Sequence, residues 1–122
     1  MEWTTSFLPD QQIVVIQTRG VADEASSLEM AKSLAKTMAQ HKATRCLVDH
    51  SAISSVSSNP VEMLYRPRKL VGIGTPSEIK IAEVVPPAHR EHFDFLKSVC
   101  QKFGFLFRTF DDQESAIQWL TK

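Results

Sequence analysis

An α/β fold with a mixed five-stranded sheet is predicted by three features of the sequence. Two strand-like runs, Trp3 to Leu8 and Ile13 to Thr18, sit side by side at the start, joined by the turn-prone Pro9-Asp10-Gln11-Gln12, as in an antiparallel hairpin. Beyond Gly20, helical periodicities alternate strictly with short apolar runs, and the chain ends in a helix. Helices of this length between strands imply right-handed crossovers and a largely parallel sheet. The expected architecture is four parallel strands, an antiparallel first strand and four flanking helices.

Each element has its own signal. From Asp23 to His41, Leu28, Ala31, Leu34, Ala35 and Met38 recur at helical spacing, and Ser26 with Glu29 has the spacing of a capping box. Arg45 to Asp49 is a short, non-alternating apolar strand and belongs in the middle of the sheet, with a serine-rich loop after it. Asn59-Pro60-Val61-Glu62 combines an N-cap, a proline at the first helical position and a glutamate three residues after the cap. In the helix it opens, Val61, Leu64 and Tyr65 are expected to face the core, and Pro67 is expected to break or kink the helix at Arg66. Gly72 to Pro76 reads as a loop and Ile79 to Val85 as a strand stopped by Pro86-Pro87. Arg90 to Phe103 is a helix with Phe93, Leu96, Cys100 and Phe103 on one stripe and Gly104 as its stop. Phe105 to Phe110 is the last strand, and Asp111 to Leu120 the last helix, with Asp111 and Glu114 spaced as its cap.

Length and composition bound the function. A chain of 122 residues reads as one domain over 1–122, able to bury roughly two thirds of the surface it exposes when unfolded. Lysine plus arginine and aspartate plus glutamate both number 14, so no net field draws in nucleic acid or an anionic membrane. The start lacks a signal-peptide pattern and no apolar run is long enough to span a bilayer, which predicts a cytoplasmic protein without membrane insertion. Cys46 and Cys100 fall inside a strand and a helix, where reduced thiols serve as small hydrophobes.

The stretch "CLVDHSAISSVSS" resembles the strand, aspartate, hydroxyl loop and second helix of the STAS domain, the family of anti-sigma-factor antagonists and of sulphate-transporter tails. "FRTFDDQESAIQWL" is similar to that family's closing strand and helix. Phe110, Asp111, Asp112, Ala116, Trp119 and Leu120 look like the end of its SpoIIAA-like branch of small stand-alone bacterial proteins. The resemblance implies a regulatory, protein-binding module, of the kind found in anti-sigma-factor-antagonist signalling, that meets its partners through the loop after the third strand and the second helix. Family members that work as phosphorylation switches carry Asp-Ser-Ser-Gly at that helix; the matching stretch here is Ser57-Ser58-Asn59-Pro60, with Ser58 nearest the phosphoacceptor. The acidic residue and the glycine are missing. The plain reading of these serines is capping and loop formation, although a phosphate would be favoured at a helix N-terminus.

The chemistry-bearing clusters do not add up to an enzyme. Asp49, His50 and Ser51 are adjacent, so on a continuing strand Asp49 and Ser51 project to one face and His50 to the other. A nucleophile with its base and orienting acid is assembled from separate segments, and the Gly-x-Ser-x-Gly elbow is absent. His89-Arg90-Glu91-His92 spaces its histidines by three with no third ligand, and Gly72-Ile73-Gly74 lacks the glycine and lysine of a phosphate loop. No metal and no cofactor is expected. Ligands of open α/β sheets gather at the carboxyl ends of the strands, where Asp23, His50, Ser51, His89 and Asp111 are expected, although capping alone accounts for most of these residue types. Tyr65 among Arg66, Arg68 and Lys69 suits a binding surface. The predicted surface is residues 50–69, with His50, Ser51, Ser57, Tyr65, Arg66, Arg68 and Lys69, for another protein or a homodimer partner. The alternative is a carrier or sensor of a small apolar or lipid-like ligand, which a deep apolar pocket at the carboxyl edge would mark.

Overall fold

In the computed structural model, which describes residues 1–76 and 78–122, the run Ile13-Val14-Val15-Ile16 is buried on both faces because it starts an interior strand. That strand, β2 (Ile13–Ala22), pairs antiparallel with β1 (Glu2–Leu8) and parallel with β3 (Arg45–Val56); β4 (Lys80–Val84) and β5 (Leu106–Phe110) extend the sheet in parallel. The five strands lie in chain order, four of them parallel, and the predicted class and topology hold.

Sequential order has a consequence for the layers. Right-handed crossovers that always step the same way put every crossover helix on one face. Accordingly α1 (Glu24–His41), α2 (Pro60–Gly72) and α3 (Arg90–Phe103) share a core with Val14, Ile16, Cys46, Val48, Ile81 and Phe107. The closing helix α4 (Gln113–Leu120) covers the other face, packing Ala116 and Leu120 on Ile13, Val15, Leu47, Ala82 and Val84.

Several local expectations are corrected. Asp23, not Ser26, caps α1, its carboxylate accepting from the Ser26 N–H at 2.8 Å; Ser26 lies inside the first turn, so its hydroxyl cannot be the cap. Asp112 caps α4 by accepting from Ser115, while Asp111 is engaged by Arg90. Asn59 caps α2 as predicted, with the reciprocal Glu62 bond completing the box. Pro67 does not end α2. Met63, Arg66, Pro67 and Leu70 form an i, i+3, i+4, i+7 stripe that is buried, and this packing on both sides of the proline carries the helix across its missing N–H. The stripe contains an arginine, so Val61, Leu64 and Tyr65 turn outward instead of inward. Phe103 likewise stands half exposed rather than in the core.

The serine-rich segment is not a loop up to its end: β3 runs to Val56 and pairs with β2 well past the end of β4. Its register with β2 slips between Gln17 and Arg19, where three steps on β3 match two on β2, and again between Gly20 and Val21. Such bulges bend a strand and re-aim its side chains. Gly20, at φ 91°, supplies the left-handed backbone between the two slips.

Candidate functional site

Two features stand out: an open groove on the outside of the helical layer, and a polar relay buried at the carboxyl edge of the sheet. The groove follows from the crossovers. Both α2 and α3 return antiparallel to the strands and so lie parallel to one another, in contact along their length. With the Met63 and Phe93 stripes turned to the core, the opposite faces are left in solvent. Leu64 (56 % exposed), Tyr65 (53 %), Phe95 (38 %) and Phe103 (49 %) stand along a groove of about 460 Å³ whose floor includes Pro67 and Val99. Arg68 and Lys102 line it, and among the described residues no carboxylate does.

The residues singled out from the sequence are divided by the fold. Tyr65, Arg68 and Lys69 lie on the exposed side of α2, and Ser57 and Ser58 immediately precede its cap. Arg66 does not belong to that surface. Its Nε and Nη2 each reach a Glu24 oxygen at 3.1 Å, and both side chains are only 11 % exposed, because a guanidinium inside the core stripe needs an acid from the neighbouring helix. His50 is also internal, since β3 continues through it and places it under α3. Ser51 emerges on the α4 face, beside Asp49, which accepts from the Ser51 N–H and from the Gln113 amide; the predicted alternation of 49, 50 and 51 is what the strand displays. His89 ends a single 3-10 turn, Pro87–His89, at the head of α3.

The relay was not legible in the sequence because it joins three strands. Thr18 (2 % exposed) on β2, His50 (4 %) on β3 and Glu83 (5 %) on β4 form a row at the carboxyl edge, with Thr18 Oγ1 2.8 Å from His50 Nδ1 and His50 Nε2 3.2 Å from Glu83 Oε2. The Thr18 hydroxyl also reaches the Asp49 carbonyl at 3.3 Å, so it bridges that carbonyl and the imidazole. The imidazole stacks on Phe93 at 4.7 Å, and His92 meets the edge of the same ring. Glu83 Oε1 is left over: among the described residues it is the buried side-chain polar atom without a hydrogen-bond partner. The order hydroxyl, imidazole, carboxylate matches a catalytic triad in sequence of groups, but the Thr18 hydroxyl is closed in by His50 and the Asp49 carbonyl, so it serves as a strut across the strands.

Electrostatics elsewhere follow burial and capping. Desolvation lowers the His92 pKa and keeps the ring neutral at neutral pH, and Glu83 offsets part of this. Burial pushes the Cys100 thiol up to about 12 and the Cys46 thiol higher still, with Glu83 adding to both. No group of three histidine, cysteine, aspartate or glutamate side chains is arranged to hold a metal among the described residues, nor is any helix there long and apolar enough to cross a membrane.

Neither a protein-family model nor a curated protein sequence matches the chain. Solved structures do. The anti-sigma factor antagonist SpoIIAA in its unphosphorylated form aligns over 97 % of this chain and 96 % of its own, with a TM-score of 0.55 and 19 % identity. An uncharacterised DUF3478 protein with a SpoIIAA-like fold, from Shewanella loihica, aligns over 98 % of this chain and 92 % of its own, with a TM-score of 0.61 and 19 % identity. The chain has the SpoIIAA-like fold. The phosphorylated form of the Bacillus cell fate determinant SpoIIAA agrees with this at a TM-score of 0.50 and 16 % identity, over 97 % of this chain and 99 % of its own. Within the SpoIIAA-like fold, the groove on α2 and α3 and the row Thr18–His50–Glu83 are features of this sequence's own side chains, which identity at this level does not carry over.

Proposed function

We propose that the chain is a non-catalytic regulatory module of the STAS type that binds another protein across the α2–α3 groove. One observation carries the reading. Six of the eight large apolar side chains that stand out into solvent among the described residues belong to these two helices: Val61, Leu64, Tyr65, Val71, Phe95 and Phe103. Four of them, Leu64, Tyr65, Phe95 and Phe103, line one groove, and an exposed apolar cluster of this kind marks an interaction site. The cations Arg68 and Lys102, with no acid among them, select the occupant: a partner helix with an apolar ridge flanked by aspartate or glutamate. A second copy of the chain fits less well, since a two-fold contact through this groove sets like charges against each other.

Anti-sigma-factor-antagonist signalling in the cytoplasm is the setting that the fold suggests. Its regulation here rests on Ser58. The hydroxyl lies just before the Asn59 cap, half buried, in a wall shared with Met63 and Phe95. Phosphate on Ser58 adds roughly two negative charges at one end of the docking face and so repels the acidic partner that the groove selects. The enclosed apolar space beneath α2, about 50 Å³, is far smaller than a lipid chain, which favours the docking reading over the carrier.

The test is co-purification from the natural host with tagged protein. Leu64→Asp with Phe95→Asp, both on exposed positions, is expected to remove the co-purifying protein and leave thermal stability within about 0.5 kcal/mol of the parent. A complex that survives this pair while Thr5→Asp with Gln118→Asp disrupts it overturns the reading.

A further inference from the structure

The orphaned Glu83 oxygen points to a second site, which adjoins the α2–α3 docking face at Phe95. Glu83 lines a narrow cavity of about 20 Å³ together with His50, Arg66, Phe93, Ser58 and His92. Ser58 and His92 also line an open groove of about 480 Å³ between the starts of α2 and α3, so these two side chains form the partition between the surface and the buried carboxyl group. The place is the carboxyl edge of the parallel strands, where open α/β sheets bind their ligands.

Size and polarity narrow what fits. A space of this volume takes one water-sized group and has no room for a carboxylate or a phosphate. Oε2 faces His50 and Oε1 faces no donor, so the group that completes the site is a hydrogen-bond donor. The charges facing it come from every neighbouring element. Arg66 on α2 is already neutralised by Glu24 on α1, and Glu91 on α3 lines the outer groove. His92 on α3 and His50 on β3 stand on either side of Phe93, and Thr18 on β2 closes the far end. Glu83 is engaged by His50 on one oxygen only, and Glu91, with His89, lines the outer groove, so a carboxyl group stands at each end of the passage. Beyond the partition, Met63, Ala88 and Phe95 offer an apolar wall to whatever the donor is attached to.

We propose that this crevice binds a small primary amine, its ammonium passing between Ser58 and His92 to Glu83 Oε1 and its apolar body resting on Met63, Ala88 and Phe95. Occupancy covers the Ser58 hydroxyl. The site therefore gives the protein a small-molecule input next to the helix that carries the docking face.

Amide chemical shifts of the full chain, titrated with 2-phenylethylammonium, 2-phenylethanol and 3-phenylpropionate, decide it. The ammonium is expected to give saturable shifts at Ser58, Met63, His92 and Phe95, with affinity at least tenfold above the alcohol and no saturation by the carboxylate. Glu83→Gln is expected to weaken the ammonium at least tenfold. Ser58→Leu, which fills the partition from the surface and leaves Thr18, His50 and Glu83 themselves unchanged, is expected to abolish its binding, so the proposal stays testable if Glu83→Gln does not fold. Equal binding of alcohol and ammonium, saturable shifts that map elsewhere, or an affinity indifferent to both substitutions overturns it. Failure of this titration leaves the docking reading standing, since the two sites share Phe95 alone and the docking reading rests on Leu64, Tyr65 and Phe103 as well.

Discussion

Arg66→Ala is the substitution on which sequence and structure disagree most. As one of several bases on an exposed helix, Arg66 could be removed at almost no cost, because exposed ion pairs contribute about 0–1 kcal/mol. In the fold it forms two parallel bonds of 3.1 Å to Glu24, and each side chain is 11 % exposed. Removing one partner of a buried pair costs about 3–5 kcal/mol, because the other charge stays behind unpaired. The residual exposure of this pair sets the expectation at the lower end, about 3 kcal/mol. For a domain of this size that corresponds to a fall of roughly 12 °C in Tm, at about 4 °C per kcal/mol. Urea unfolding followed by circular dichroism measures it, with Arg68→Ala, exposed on the same helix, as the control expected to change less than about 0.5 kcal/mol. The cycle through Glu24→Gln, Arg66→Met and the double variant should give a coupling of about 2 kcal/mol. A loss below about 1 kcal/mol for Arg66→Ala, or no coupling, would refute the placement of Arg66 inside the core stripe.

Three further outcomes are expected. Cys46 and Cys100, held protonated by burial, should resist a thiol reagent in the native state and react fully in denaturant; rapid labelling of the native protein contradicts the packing of β3 and α3 on the sheet. Asp23 and Asp112 have pKa values lowered below 3.8, chiefly by the backbone N–H groups of Ser26 and Ser115, so their contribution is present above pH 3.8 and is lost as pH falls through the lower folded values. Asp23→Asn with Asp112→Asn keeps both caps and should flatten the Tm-against-pH curve below about pH 4; an unchanged acid limb contradicts the caps. Asn59→Ala removes the capping box of α2 and should cost about 1 kcal/mol in urea unfolding, whereas no change means α2 starts elsewhere.

The order of strands and helices along the chain and most of the helix boundaries were legible because they depend on local signals. Arg90 to Phe103, with Gly104 in the left-handed region after it, lies where periodicity and stop signal put it. So does the Asn59 capping box. Errors arose where a tertiary partner outweighs local preference. Arg66 in the stripe Met63, Arg66, Pro67, Leu70 disguises the buried face of α2, and only Glu24, 42 residues away, makes the arrangement affordable. That one substitution of arginine for an apolar residue moved the predicted core face onto Leu64 and Tyr65, which became the groove. Ser51 to Val56 reads as a loop because hydroxyl residues favour turns, yet pairing with β2 holds it extended. The relay had no local signal at all, since Thr18, His50 and Glu83 meet only through the register of three strands.

The central claim is that a protein partner occupies the groove between α2 and α3. Site-specific photo-crosslinking in the natural host tests it most directly, with a benzophenone side chain placed in turn at Tyr65, Phe95 and Phe103, and at Thr5 and Gln118 on the β1 and α4 surfaces as controls. The account predicts one and the same crosslinked protein from the three groove positions, diminished by Ser58→Glu, and none from the two controls. Crosslinks to a single partner from Thr5 or Gln118, with the groove positions silent, would contradict it.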